Sequence, residues 1–419
     1  MRIIAGMTTP ELFRELLGPM GQNALTAATH LQPTTTTYPA AIDRLRKHYG
    51  TELSRAAVEQ VLLRIKAADK FGSDAARMYF TREGLEMASR PEASRHRAAR
   101  FIGFGRVADL GCGLGADLIA LARVGCTVVG IERSPLPAAM AEANLRALGL
   151  PGSVVVGDVL DFDFSTVDAA FADPSRRPGG GRVLSVEDGE PPLAAYLRRI
   201  PATFPLLVKA APGLPRTDLD AYRQAEAEFV SVQRELKECV LAFGPLRRFQ
   251  RGIVELPAGT MLRGEPGEPQ EFDALGAYLC DPHPAVPRAD LLEALTKECG
   301  AWAFEPGLAM LTSREPIVHP FLGCRRILGT TKADAKAIQV LLRDHGIGRV
   351  TLVKRGSNID AETMRSKFKP HGDAAAHLVF TKVQGKNAAI LTADVPQAQV
   401  AVFEAVLTVE DVAKRNGLG

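Results

Sequence analysis

The segment VADLGCGLGADLIALA (residues 107–122) constrains the fold more than any other stretch of the chain. An apolar run closes on glycines at every second position, Gly111, Gly113 and Gly115, and then resumes with helical spacing. Glycine tolerates positive φ and lets a ligand approach the backbone, while the first amides of a following helix point outward as donors. The segment therefore reads as strand, turn and helix. TVVGIE (127–132) places Glu132 at the end of the next strand, where a carboxylate can accept both hydrogen bonds of a ribose diol. GDVLDF (157–162) puts Asp158 at the end of a third strand, and FADPSRR (171–177) ends a fourth on Asp173 and Pro174.

Two nucleotide-type ligands suit this geometry, and a structural loop without ligand is a third reading. Gly111, Gly113 and Ala116, with Glu132 further on, satisfy a dinucleotide fingerprint. Three features favour S-adenosylmethionine. Asp109, two residues before the first glycine, can anchor a cationic amino acid, whereas a dinucleotide would set pyrophosphate beside that charge. The glycines alternate. Asp158 can accept from an adenine amino group. The candidate cofactor residues are Asp109, Gly111, Cys112, Gly113, Gly115, Glu132, Arg133, Asp158 and Val159.

Methyl transfer from a sulfonium is an in-line displacement, so alignment of acceptor, methyl and sulfur is the main contribution a protein makes. An exocyclic amine is a poor nucleophile because its lone pair is delocalised into the ring. A carboxylate or carbonyl that accepts its hydrogens pulls the nitrogen towards tetrahedral geometry and stabilises its growing positive charge. Asp173 and the Pro174 carbonyl suit that task. Many enzymes that methylate base amino groups follow Asp-Pro with another proline and an aromatic; here Ser175, Arg176 and Arg177 follow. A guanidinium can stack on a base or grip phosphate, so Arg176 and Arg177 join Asp173 and Pro174 as candidate catalytic residues. The alternative is a Pro-containing turn whose arginines are solvated or pair with the acids of VEDGE (186–190).

At 419 residues the chain is too long for one ordinary core. Residues 1–100 read as a helical domain: AAVEQVLLRIKAADKF (56–71) has apolar residues at three- and four-residue spacing, and RPEASRHRAARF (90–101) looks like a basic amphipathic helix. Strand patterns at 106–110, 127–132, 153–157, 167–172 and 204–209 alternate with helical ones, which predicts an α/β domain over 101–260 with a parallel sheet covered by helices. FVSVQREL (229–236) and ECVLAFG (238–244) follow almost back to back, as in a terminal antiparallel pair. PAGTMLRGEPGEPQ (257–270) reads as a loop at the domain boundary, and 261–320 as a connecting region. A small α+β domain is expected over 321–419, with a helix at 333–346, a strand at 349–356, a hairpin from AHLVFTKVQG and KNAAILTADV, and a last helix in VAVFEAVLTVEDVAKR.

The formal charge of +3 conceals an asymmetry: residues 325–386 hold 13 Lys/Arg against 5 Asp/Glu. A basic C-terminal region suits a polyanionic partner, although it also serves as an ordinary solvated surface. The six cysteines show no CxxC pair, and the eight histidines form no metal-spaced cluster, so we expect reduced thiols and no metal. No signal-peptide pattern or membrane-length apolar run occurs, which predicts a cytoplasmic protein without a membrane partner. Oligomeric state is not legible.

The set formed by the glycine loop, Glu132, Asp158 and Asp173-Pro174 resembles the class I S-adenosylmethionine-dependent methyltransferases over about 100–245. That resemblance implies contacts from Asp109 to the methionine part, Glu132 to the ribose and Asp158 to the adenine. It also implies a Rossmann-like seven-stranded sheet, mostly parallel, with the last strand antiparallel. KFGSDAARMYFTREGLEMASRPEASRHRAARF (70–101), DPSRR, ELKECVLAFG and GAYLCDPHPAVPRADL (276–291) resemble a bacterial methyltransferase group with a C-terminal THUMP-like domain. In that group the loop is usually DPARR, from which Ser175 departs. YFTREGLEMASRP is also similar to the lead-in of trimethylguanosine synthases, which carry an aromatic near Asp-Pro that this chain lacks. THUMP domains bind RNA, so the resemblance implies RNA as partner. Lys354, Arg355, Arg365, Lys367 and Lys369 are then the phosphate-contact candidates. Lys70, Arg77, Arg82 and the Arg95–Arg100 cluster are either the frame of a substrate channel or plain surface. Tyr79 and Phe80 either cover the cofactor, stack a base, or belong to the core. The expected function is methyl transfer to a nitrogen of an RNA base. A methyltransferase on protein, DNA or a small molecule, and a non-catalytic cofactor- or RNA-binding module, are the alternatives.

Overall fold

The computed structural model describes residues 9–176, 185–269 and 273–395. The chain divides into two compact units, Met1–Ala225 with Cys239–Arg248, and Glu226–Glu238 with Phe249–Gly419.

The first unit opens with helices Pro10–Leu17, Pro19–His30, Tyr38–Tyr49 and Thr51–Phe71. The longest extends the apolar spacing legible in the sequence and buries Leu53, Ala57, Val61 and Ala67 along one face. Two shorter helices, Arg82–Met87 and Pro91–Ala98, lead into the sheet. Its strands are β1 (Arg106–Leu110), β2 (Thr127–Glu132), β3 (Gly152–Val156), β4 (Ala169–Ala172) and β5 (Leu206–Ala210). They pair in parallel in the order β3-β2-β1-β4-β5, so the order reverses at β1. In open α/β sheets, ligands bind beyond the strand carboxyl ends at such a reversal. The chain then forms β6 (Glu226–Val232) and β7 (Glu235–Phe243), joined by Gln233 and Arg234, both at positive φ (53° and 62°). Residues Cys239–Phe243 of β7 run antiparallel to β5, which is the reversed last strand expected. Val107, Ala108 and Leu110 of β1, all of β4 and the first three residues of β5 are apolar and buried, as strands covered on both faces must be.

In the second unit β8 (Arg251–Leu256) pairs in parallel with β6, and β9 (Thr260–Gly264) returns antiparallel to β8. The loop expected over 257–270 is thus partly strand. Pro257-Ala258-Gly259 makes the turn, with Gly259 at φ 72° and its N–H on the Glu255 carbonyl (2.9 Å), and TMLRG completes a hairpin. A separate mostly antiparallel sheet contains β10 (Tyr278–Pro282), β11 (Leu311–Ser313), β12 (Leu322–Lys332), β13 (Ile347–Lys354), β14 (Ala374–Val383) and β15 (Lys386–Asp394). With the short strand Trp302–Ala303 at one edge, the order is β11-β10-β12-β15-β14-β13. The segment 261–320 therefore supplies three strands of this sheet. Alternation along β14 sends Leu378 and Phe380 to Ile338 and Leu342 of helix Ala335–Asp344, and Val379 to Phe304 and Met310 on the other face. Asp334 caps that helix, accepting from Lys336 and Ala337 N–H. The expected helix in VAVFEAVLTVEDVAKR lies outside the described residues.

The expectation of reduced cysteines is corrected at one pair. Cys280 and Cys324 face each other across β10 and β12, with Cα atoms 4.2 Å apart, and form a disulfide. Two cysteines 44 residues apart meet because the strand register puts them opposite one another. Cys112, Cys126, Cys239 and Cys299 are free thiols.

Candidate active site

The glycine loop leaves β1 with Gly111, Gly113 and Gly115 at φ 87°, 53° and 87°, values that disfavour any side chain. The N–H groups of Gly111 and Cys112 donate to the Ile131 carbonyl (2.8 and 3.1 Å), tying the loop to β2. Gly115 then starts the helix Ala116–Arg123. Glu132, at the end of β2, accepts from Gly113 N–H (3.1 Å) on one oxygen and from Ser134 N–H (2.8 Å) on the other. Cys112 is buried against Gly130. Burial, with the charges of Asp109 and Glu132 adding to it, holds its thiol well above the ordinary range, which disfavours the thiolate.

Asp109 is buried at the end of β1, and its Oδ2 has no hydrogen-bond partner among the described residues. Burial pushes its carboxyl well above the usual range, and the negative charges of Asp117 and Asp173 add to that. Asp117 sits in the first turn of the following helix. Burial alone would raise it too, but Arg97, Lys209 and a hydrogen bond from Ser89 hold it below the ordinary value. Arg97 Nη2 lies 2.5 Å from Asp117 Oδ1 and 2.8 Å from Ser89 Oγ, and its guanidinium stands 5.2 Å from the centre of the Phe171 ring.

The Asp-Pro corner belongs to the same locality. A Cβ on Gly111 would lie 3.7 Å from the Asp173 carbonyl oxygen. Asp173 Oδ2 accepts from Lys209 Nζ on β5 at 2.6 Å. Tyr196 is buried, and that burial, with the charges of Asp173 and Asp158, pushes its phenol above the usual range. Asp158 is exposed and accepts from Leu160 N–H (2.8 Å); Val159 beside it is half-buried. Asp109 thus feels the charges of Asp117 and Asp173, Cys112 those of Asp109 and Glu132, and Tyr196 those of Asp173 and Asp158. Pro174 packs towards Gly189. The backbones of Ser175 and Arg176 pair with Glu190 and Gly189. Arg133 reaches the same loop through Glu190 (2.9 Å). Among the described residues, the acids of VEDGE therefore engage Arg133, Tyr222 and the Ala194 N–H. Arg177 and the side chain of Arg176 lie outside what is described.

Asn144 of helix Pro135–Leu148 ties the glycine loop to the segment ahead of the sheet. Asn144 accepts from Tyr79 N–H (2.7 Å) and donates to the carbonyls of Tyr79 (3.1 Å) and Leu114 (3.0 Å). Gln60 pairs with both backbone groups of Phe80 (2.6 and 2.9 Å). Tyr79 and Phe80 are core residues. The basic residues ahead of β1 are largely committed within the chain. Lys70 Nζ donates to the Leu85, Glu86 and Ala88 carbonyls at the end of helix Arg82–Met87 (2.7, 3.3 and 2.9 Å). Arg77 binds Asp74 (2.9 Å), Arg82 binds Glu59 (3.2 Å), Arg97 is buried on Asp117, and Arg100 donates to the Leu246 carbonyl (3.2 Å). Most of these N-terminal cations therefore meet an acid or a carbonyl of the chain itself, while Arg95 stays exposed.

Reading the sequence missed Asp117, Asn144, Tyr196 and Lys209, and held Arg97 only as one of the Arg95–Arg100 cluster. Lys209 left a signal: it is a lone charge inside the apolar run LLVKA. In the second unit, Lys354, Lys367 and Lys369 are exposed. Arg355 is held by both oxygens of Asp281 (3.3 and 3.0 Å). Arg365 donates to the Val350 carbonyl (3.0 Å) and lines a surface concavity with Arg349 and Thr351. Among the described residues, no group of three or more His, Cys, Asp or Glu side chains is placed to hold a metal ion, and no helix is long and apolar enough to cross a membrane.

Comparison with known proteins agrees with this architecture. Residues 107–174 match a methyltransferase domain family, residues 325–394 a THUMP domain-like family, and residues 9–67 a domain family of unknown function. An uncharacterized S-adenosylmethionine-dependent methyltransferase of Mycobacterium tuberculosis is 29% identical over 346 residues, spanning 80% of this chain and 95% of that protein. The crystal structure of a candidate methyltransferase from Porphyromonas gingivalis superposes with a TM-score of 0.71 at 21% identity, covering 88% of this chain and 98% of that one, and so shares the fold. With the glycine loop, the reversed last strand and the separate C-terminal sheet, these matches make the chain similar to class I S-adenosylmethionine-dependent methyltransferases that carry a C-terminal THUMP-like domain.

Proposed function

We propose that the chain methylates a nitrogen of an RNA base, with Asp173 and the Pro174 carbonyl receiving the acceptor and Asp109, Glu132 and Asp158 holding the donor. The observation that carries this reading is the closeness of the Asp-Pro corner to a glycine loop flanked by a buried, unpartnered carboxylate oxygen. S-adenosylmethionine supplies a methyl on a sulfonium: the acceptor nitrogen's lone pair forms the new bond to carbon while the carbon–sulfur bond breaks and its electron pair stays on sulfur.

The residues present fit that cofactor. A buried carboxylate without a partner is costly unless a ligand completes it. Asp109 Oδ2 is such an atom, and an ammonium group is the complement it lacks. A Cβ built on Gly113 would meet open space, so the loop leaves room on that side. Two backbone N–H groups hold Glu132 at the strand end, and its oxygens retain lone pairs for a diol. Asp173 has one oxygen on Lys209, which leaves Oδ1 to accept an N–H of the incoming amine. That hydrogen bond strengthens as the nitrogen gains positive charge, and the proton lost after transfer leaves through this carboxylate or water. RNA as the acceptor class is supported by the THUMP domain-like match and by exposed Lys354, Lys367 and Lys369.

The test compares Asp173→Ala with the parent chain on RNA from cells lacking this gene, using donor with a labelled methyl. We expect roughly a hundredfold or greater loss of transfer, the scale for removing one group that stabilises transition-state charge. Donor binding by calorimetry should be retained. Normal transfer by Asp173→Ala overturns the role of the Asp-Pro corner. Label that enters only ribonuclease-resistant material overturns RNA as acceptor.

A further inference from the structure

Lys209 is the only charged residue of β5, in a strand where Leu206, Leu207 and Val208 are fully buried. β4 and β5 run parallel with Ala172 opposite Val208, and both chains then step to the residue that carries charge, Asp173 on one and Lys209 on the other. The lysine side chain is 22% exposed and the aspartate 36%, with Nζ and Oδ2 2.6 Å apart. A contact this short is charge-assisted, and stronger than one between neutral groups. The same ammonium acts on Asp117, and the charges of Asp117 and Asp173 both act on buried Asp109. Arg97 serves the Asp117 end of that group. Lys209 serves the Asp173 end.

We infer that Lys209 is a positioning residue for methyl transfer: its ammonium pins Asp173 Oδ2, so that Oδ1 and the Pro174 carbonyl are presented together to one acceptor nitrogen. This rests on the proposed role of Asp173. A carboxylate at the end of a strand turns freely about its side-chain bonds, and a negative charge on Asp109 acts against it. A cation on one oxygen removes that freedom and offsets the repulsion. The acceptor then meets a preorganised pair of hydrogen-bond acceptors, which is where rate is gained. A lysine kept only for stability would make no difference to transfer once the protein is folded and loaded.

The full chain and the variants Lys209→Met, Lys209→Arg, Asp173→Asn and the double variant Lys209→Met/Asp173→Asn are assayed under single-turnover conditions. Donor is saturating, and whole-cell extract from cells lacking the gene is the acceptor, fractionated afterwards by ribonuclease and protease. For Lys209→Met we expect a thirtyfold to three-hundredfold slower transfer, donor affinity within about threefold of the parent, and little change in acceptor concentration at half-maximal rate. Lys209→Arg restores at least a third of the lost rate. The double variant is no slower than Asp173→Asn alone, because a positioning residue has nothing left to position. Lys209→Met at the parent rate with donor bound overturns the inference, as does a double variant in which the two losses multiply. If Lys209→Met fails to fold, Lys209→Gln is read against the same limits. Should Asp173→Asn transfer normally while Lys209→Met is slow, the reading of Asp173 fails and Lys209 acts through another group, which also overturns the inference. Parent label in ribonuclease-resistant material overturns the RNA reading alone, since the ratio of rates still judges Lys209. No transfer by the parent to any extract overturns both.

Discussion

Arg97→Met removes a guanidinium that is 2% exposed from a carboxylate that is 13% exposed. Breaking a buried ion pair from one side costs about 3–5 kcal/mol, because the remaining charge stays buried without its complement. Two facts place this case at the lower end. Ser89 still donates to Asp117 Oδ2 (3.0 Å), and Lys209 still acts on it. Methionine refills much of the volume against Phe171, so the expected loss is about 3 kcal/mol at neutral pH. With a urea slope of about 3 kcal/mol per molar, the unfolding midpoint of the methyltransferase unit falls by about 1 M. The pH dependence has a definite sign. Asp117 titrates below its ordinary value in the folded parent, so its contribution is present above the unfolded pKa near 4 and is lost as pH falls through the folded value. In Arg97→Met, burial and the Asp109 charge dominate, and Asp117 takes up a proton more readily. The difference between the two proteins is therefore largest at pH 7 and shrinks towards pH 4. Urea denaturation followed by hydrogen exchange on residues 107–123 at pH 7, 5.5 and 4.5 measures it. A midpoint within 0.2 M of the parent at pH 7 (about 0.6 kcal/mol on this slope) refutes the reasoning. So does a gap that widens in acid, or an Arg97→Met/Asp117→Asn variant less stable than Arg97→Met.

Asp109→Asn should weaken S-adenosylmethionine binding by about tenfold to a hundredfold, the worth of a hydrogen bond to a charged group, as calorimetry would show. Its burial-raised carboxyl contributes stability only at low pH and loses it as pH rises, so the variant without ligand should melt no lower than the parent at pH 7; a lower melting point contradicts that sign. Gly130→Ala places a methyl 2.7 Å from Cys112 Sγ and should cost about 1–3 kcal/mol in chemical denaturation. Cys112→Ala should relieve most of that cost in the double variant, and additivity of the two changes would count against the clash.

Much of the sheet and part of the site were legible because they are written in local periods. Two-residue alternation and short apolar runs marked β1, β2 and the C-terminal hairpin, and three alternating glycines marked the turn between β1 and its helix. Asp109, Glu132, Asp158 and Asp173 stand out as candidates because acids at successive strand ends fall on one edge of a parallel sheet. The strand β9 was missed because its glycine- and proline-rich flanks outweighed TMLRG, five residues that acquire strand character by pairing with β8.

The amino-acid order alone determined most of the segments that become strands and helices, where glycine had to stand, and which acids fall at strand ends, since side-chain period and backbone freedom act within a few residues. Partnerships were decided only by the tertiary structure. Arg97 sits in a stretch that reads as a basic surface helix, and it is buried because helix Ala116–Arg123 brings Asp117 to it. Lys209 meets Asp173 across 36 residues because β4 and β5 are neighbours in register. Cys280 and Cys324 join because β10 and β12 lie side by side. A charge or a thiol has no directional preference along the chain, so its partner is whatever the strand order and register place within about 3 Å.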